Sequence, residues 1–162
     1  MPKMGVPNID PEIAEFVTRM KTAWSMHPDL GSVSVPEARA IAEQVREPWR
    51  QGGPEMHHAV EHHVELPSGS LRVRIYYPDD RDMLPALMYM HGGGFTLFSI
   101  DTHDRLMREY AQLGGFAVIG VDYPLAPEHK YPVALNRIEA LLLWLKDHGA
   151  ELGIDPARIA LG

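Results

Sequence analysis

The chain has 162 residues, of which 45% are hydrophobic and 23% charged, the mix of a folded rather than a disordered polypeptide. It contains no cysteine, which excludes disulfides, thiolate metal sites, cysteine nucleophiles and CxxC redox chemistry together. A formal net charge of -7 speaks against nucleic acid or an anionic membrane as partner, because both require a basic face. The longest apolar runs, Leu84–Met90 and 116–121, fall well short of the roughly 20 residues a membrane-spanning helix needs. Met1-Pro2-Lys3-Met4-Gly5 opens no apolar signal segment, so the expected location is the cytoplasm.

Residues 1–55 read as helical, with no strand pattern. Asp10 caps a first helix that has Pro11 at its first position, and Ile13, Phe16, Val17, Met20 and Trp24 recur on one stripe. Ser34-Val35-Pro36-Glu37 is a capping box opening a second helix, whose stripe of Ala38, Ile41, Ala42 and Val45 is expected to stop at Pro48. From His57 the period changes. Leu71, Val73, Ile75 and Tyr77 alternate with Arg72, Arg74 and Tyr76 in a half-buried strand, joined by the turn Pro67-Ser68-Gly69-Ser70 to a partner at His58–Leu66. Leu84–Met90 and 116–121 are continuous apolar runs, as in strands covered on both faces. Between them, 101–113 reads as a helix with Leu106, Met107, Tyr110 and Leu113 on one side and Gly114-Gly115 at its end. The segment 132–148 is a helix with Leu135, Ile138, Leu142 and Leu145 in register and a stop at Gly149, and a further buried strand starts at Arg158. A hairpin followed by strand, helix, strand, helix, strand predicts an α/β fold with a mostly parallel sheet and helices on both faces. The expected division is a helical N-terminal cap region at 1–55 and an α/β core at 56–162.

Two loops follow buried strands. His91-Gly92-Gly93-Gly94-Phe95 sits at the carboxyl end of a parallel strand, where α/β sheets bind ligands. Consecutive glycines there serve either a plain tight turn or the close approach of backbone amides to a ligand, and a single amide donated to an oxyanion is worth about 3 kcal/mol in the transition state. No GK[ST] or GxGxxG accompanies them, so a phosphate loop is the poorer reading. The second loop, 122–132, carries Pro124, Pro127 and Pro132 and is therefore stiff. Its Asp122, Glu128 and His129 are of acid–base type, although Asp122 and Glu128 better suit pinning the loop to backbone amides.

HGGGF followed by DYPLAPEHKYP resembles the hormone-sensitive-lipase branch of the α/β-hydrolases, which includes bacterial carboxylesterases and acetyl-esterases. Asp101-Thr102-His103-Asp104-Arg105 and Asp155-Pro156-Ala157-Arg158-Ile159 are similar to that branch too, so the likeness spans roughly residues 57–162. Pro124 is a departure, standing where the family usually has arginine. The resemblance implies that the amides of Gly93 and Gly94 face a substrate oxyanion, and that His91, Gly92, Asp122, Tyr123 and Glu128 support the two loops. It further implies that Phe95, Leu97 and Phe98, with Trp24 from the cap, wall a pocket for a small ester.

In this fold the strand from Arg158 leads into a serine elbow, written G-D-S-A-G in the family, and the chain order is serine, acid, histidine. The six serines, Ser25, Ser32, Ser34, Ser68, Ser70 and Ser99, lie in no GxSxG. The nucleophile, acid and base are therefore expected outside residues 1–162. None of the nine histidines qualifies as the base, and residues 1–162 alone are expected to be inactive. The resemblance implies an enzyme about twice this length, of which these residues are the N-terminal half, and no cofactor. Two other readings stand beside the esterase: a receptor-like member that binds a small molecule without turning it over, and one half of a split hydrolase completed by a C-terminal partner. Self-association into a homo-oligomer is a further expectation. His57, His58, His62 and His63 suggest a metal, but on a strand His58 and His62 lie about 13 Å apart, too far for one ion, and solvated histidines are the expectation.

Overall fold

In a computed structural model, residues 9–162 are described, and the chain divides into two compact units, with the boundary between Val45 and Arg46. The first holds α1 (Pro11–Ser25), a 3-10 turn (Leu30–Ser32) and the start of α2 (Val35–Arg50). The Asp10 carboxylate accepts the Glu12 amide at 2.9 Å, with Pro11 at the first helical position. None of the apolar stripe of α1 is buried among the described residues: Ile13, Phe16 and Val17 are exposed. The capping box of α2 forms, Glu37 N donating to Ser34 Oγ at 3.4 Å, and its stripe of Ala38, Ile41, Ala42 and Val45 is buried. Pro48 does not stop this helix, which runs on to Arg50. So near the C-terminal end, the missing proline amide costs one bond in a turn that is already fraying.

The second unit is a five-stranded sheet in the order β1-β2-β4-β3-β5, built from β1 (His58–Leu66), β2 (Gly69–Tyr77), β3 (Leu84–Met90), β4 (Ala117–Val121) and β5 (Ile154–Leu161). β1 pairs antiparallel with β2 and β2 antiparallel with β4, whereas β3 runs parallel to both β4 and β5. Leu66 lies opposite Gly69, so the hairpin loop is only Pro67-Ser68, shorter than the sequence pattern suggests.

α4 (Val133–His148) covers one face. Its Leu141 and Leu145 are buried with Leu71, Val73, Ile75, Met88, Ile119 and Val121. α3 (Asp104–Gly114) covers the other face, where Met107 and Ala111 pack with Tyr76, Ile100 and Val118. With both faces covered, the alternation on β2 fails at its end: Tyr76 is buried against α3 and Tyr77 is half-buried. α3 starts at Asp104, not 101, and buries Met107 and Ala111 while Leu106, Tyr110 and Leu113 stay exposed. Its contact is narrow because Met107 enters the space at Gly120, where a Cβ would meet the methionine sulfur at 2.5 Å. Gly115 ends α3 in the left-handed conformation (φ 61°), as expected. Gly149 is right-handed instead; the chain continues through a 3-10 turn (Gly149–Leu152) and turns at Gly153 (φ 70°). β5 is not enclosed. Only Ile154 is buried, and β5 forms an edge of the sheet among the described residues.

Candidate active site

Both candidate loops leave the carboxyl ends of neighbouring parallel strands, 91–100 from β3 and 122–132 from β4. Gly93 has φ 127°, and a Cβ there would collide with the Leu97 carbonyl oxygen, so only glycine fits. Gly94, Phe95 and Phe98 also take left-handed backbone, at φ 61°, 57° and 69°. For the two phenylalanines this costs on the order of 1–3 kcal/mol each, which the loop's own bonds must offset. Those bonds are Thr96 N and Leu97 N donating to Gly93 O at 3.1 and 3.0 Å, and Ala126 N donating to Phe95 O at 2.7 Å. The last of these ties the two loops together. Among the described residues, the amides of Gly93 and Gly94 donate to no acceptor. Gly94 has open space where a side chain would be.

His91 is buried behind this loop, its ring stacked on Tyr123 at 4.3 Å and 12°. The Tyr123 hydroxyl donates to the His91 carbonyl, a second tie between the loops. Burial pushes the Tyr123 phenol up to about 12, so it remains a donor. His91 Nδ1 lies 2.8 Å from Gly92 O and donates to it, and Nε2 is buried with no partner. Burial lowers the His91 pKa and keeps the ring neutral. This is the geometry of a packed support. Gly92 joins the two without a side chain of its own, its ideal Cβ position lying 3.9 Å from His103 Nε2.

Asp122 is held by an ion pair with Arg72. Its carboxylate accepts from Arg72 Nη1 at 3.3 Å, while its own amide donates to Arg72 O at 3.1 Å. Pro124 brings no guanidinium to this loop, and the cation comes from β2 instead. Glu128 and His129 are exposed. Phe95 lines an apolar cavity of about 340 Å³ together with Ala126, His129, Tyr131, Pro132 and Leu135. Leu97 and Phe98 do not line it: the Leu97 carbonyl backs Gly93, and Phe98 packs edge-on to His103 and beneath Arg46. Trp24 lies half-buried on α1, in the other compact unit.

A charged cluster on the α3 face of the sheet was not legible as a unit in the sequence. Arg72 and Arg74 donate to Glu61 on β1, which lies opposite Arg74 in the register. Arg74 also reaches Asp101 at 2.7 Å and Asp104 at 3.2 Å, and Asp104 accepts from the Tyr76 hydroxyl at 2.6 Å and from Arg108 at 2.9 Å. Hydrogen bonds from Arg72 and then Arg74 hold the Glu61 carboxyl at about 2. Burial alone would raise the Asp101 pKa, but the two arginines outweigh it and the pKa is lowered. The one signal available was Arg72 and Arg74 at i and i+2 on a strand, a like-charged pair on one face that requires acids nearby. Among the described residues no group of three or more His, Asp or Glu is arranged to hold a metal, and no helix is long and apolar enough to cross a membrane. His58 and His62 both lie on β1.

The family described as the alpha/beta hydrolase fold matches residues 87–162. Two relatives from Mycobacterium tuberculosis are the carboxylesterase NlhH, 48% identical over 90 residues (55% of this chain, 28% of the relative), and the esterase LipI, 41% identical over 101 residues (60% and 32%). A hyperthermophilic esterase from the archaeon Pyrobaculum calidifontis superposes with a TM-score of 0.83 at 32% identity, over 94% of this chain and 48% of that one. An ester hydrolase from the metagenome of Lake Arreo does so with a TM-score of 0.86 at 30% identity, over 95% and 50%. The chain thus spans about half the length of these solved structures and aligns with about a third or less of the curated relatives. Likeness of sheet and loops over nearly the whole chain, joined to this level of identity, shows the α/β-hydrolase fold in a chain that is similar to esterases.

Proposed function

We propose that residues 91–132 supply the oxyanion-hole side of a serine carboxylesterase that cleaves small esters. The observation that carries this reading is the pair of amides at Gly93 and Gly94, which among the described residues donate to no acceptor, in a loop otherwise bonded on both arms. A backbone held left-handed at four positions between 93 and 98 does not rearrange to use those amides elsewhere. They are preorganised donors, and donors fixed in advance stabilise charge that appears only in the transition state. The apolar cavity beside Phe95 would take the acyl or alcohol part. His91 and Tyr123 would act by holding the loop, with no proton transfer assigned to them. Since no serine of residues 1–162 lies in a GxSxG, the nucleophile and its histidine would come from other residues, and this segment alone would show no turnover.

The test is hydrolysis of p-nitrophenyl acetate by the complete gene product. We expect turnover that a serine-directed organophosphate abolishes. Gly93→Ala, which must displace the loop to relieve the clash with Leu97, should lower kcat on the order of 10²-fold. Binding of short esters without any turnover would replace this reading with the receptor-like one, and an unchanged kcat in Gly93→Ala would remove the oxyanion role.

A further inference from the structure

We infer that Arg72 is a positioning residue for the oxyanion loop, acting from the strand behind it. This rests on the esterase reading above. Arg72 lies on β2, which contributes nothing to the loops themselves, yet it is bonded to both. Nη1 donates to Asp122 Oδ2 at 3.3 Å where the β4 loop begins, and to Asp101 Oδ2 at 3.2 Å where the β3 loop ends. The Arg72 carbonyl also takes the Asp122 amide, so side chain and main chain hold the same residue. Glu61 on β1 grips the far side of the guanidinium, donated to by Nη2 at 2.7 Å and Nε at 3.0 Å, and fixes its plane.

From Asp101 back to Gly93 the chain is a series of bonded turns with little freedom. Thr102 Oγ1 donates to Ser99 O at 2.7 Å and accepts Ser99 N at 3.0 Å, and Asp101 N donates to Ser99 Oγ at 3.2 Å. Ile100, Thr102 and His103 in this stretch are buried. Phe98 follows, its ring 3.0 Å from where a Gly93 side chain would be, and then the Leu97 carbonyl that backs Gly93. A shift of Asp101 has no slack to absorb it before reaching the two amides. Arg74 shares Asp101 but is committed to Asp104 and does not reach Asp122, so of the two arginines it is Arg72 that spans the two loops.

The experiment compares Arg72→Met with Arg137→Met in the complete gene product. Arg137 donates to Gly69 O and Ser70 O at the hairpin turn and touches neither loop, so it controls for lost stability. Each variant is assayed on p-nitrophenyl acetate at the same interval below its own Tm, and backbone hydrogen exchange is followed at Thr96 and Leu97, whose amides donate to Gly93 O. Arg72→Met should lower kcat about tenfold or more with KM within about twofold, and speed exchange at Thr96 and Leu97. Arg137→Met should do neither. Arg72→Lys, a point charge that cannot bridge two carboxylates, should recover part of kcat, and it replaces the methionine variant if that does not fold. Equal kcat losses in the two variants, or unchanged exchange at Thr96 and Leu97 in Arg72→Met, would overturn the inference. If the unaltered protein turns over no ester, the esterase reading fails separately and the exchange measurement alone decides positioning.

Discussion

His103 is the residue whose burial has the clearest energetic consequence. Its ring is enclosed beside the neutral His91 ring, at 5.6 Å between centroids, with Tyr89 and Phe98 against it. Nδ1 meets Thr102 Oγ1 at 2.9 Å and Ser99 O at 3.3 Å. Burial first, then the charge of Arg46, lowers its pKa to about 4. The unfolded chain therefore binds a proton at this site below about pH 6.5, whereas the native state does not until near pH 4. Stability is then full above pH 6.5 and falls as the pH drops toward 4, by up to about 3 kcal/mol from this residue. The lowered carboxylates do not confuse the window, because Glu61 loses its contribution as the pH falls from its ordinary value of 4.5 toward about 2, below the interval from pH 7 to pH 5. Tm measured between pH 7 and pH 5 should fall, and His103→Gln should flatten the slope. A Tm independent of pH over that interval would contradict the assignment of His103 as a buried neutral ring.

At the scale of elements, α3 shows what periodicity determines and what it leaves open. The apolar positions Leu106, Met107, Tyr110 and Leu113 identify a helix, but the buried pair is Met107 and Ala111, with Leu113 82% exposed. Met107→Ala should cost about 2–5 kcal/mol in chemical denaturation, since it empties the space facing Gly120, whereas Leu113→Ala should stay within about 0.5 kcal/mol. Similar losses from both would mean that α3 packs as its sequence stripe suggests. Caps were legible because Asp10, the Ser34 capping box and Gly115 act within one turn. β3 and β4 were legible because strands covered on both faces need unbroken apolar runs. The facing of α3 was not, since it follows from which sheet residue is small enough to admit a side chain. The cluster around Arg72 was not legible either: its members come from β1, β2, α3 and two loops, and only strand register and helix placement bring Glu61, Asp101 and Asp122 to one guanidinium.

For the molecule as a whole, the two edges of the sheet are unequal. β1 is a long edge carrying Glu61, Glu65 and four-residue-spaced histidines, charged and polar enough to discourage pairing. β5 has only Asp155 and Arg158, and these bind each other at 2.5 Å, with Arg158 also donating to Met83 O, so both charges are used near its start. From Ile159 onward the strand bears no charge, and Leu161 is 53% exposed beside an open cavity of about 370 Å³ lined by Leu87, Phe116 and Ile159. Leu143 on α4 adds exposed apolar surface. An unguarded strand edge joined to such surface is a template for pairing with another chain. Residues 1–162 produced as an isolated polypeptide should therefore elute in size-exclusion chromatography above monomer mass, with the associated fraction rising with concentration. Leu161→Lys, which places a charge on the free half of β5, should shift the population toward monomer. A monomer with a cooperative thermal transition in the unaltered polypeptide would show that β5 does not need a neighbour.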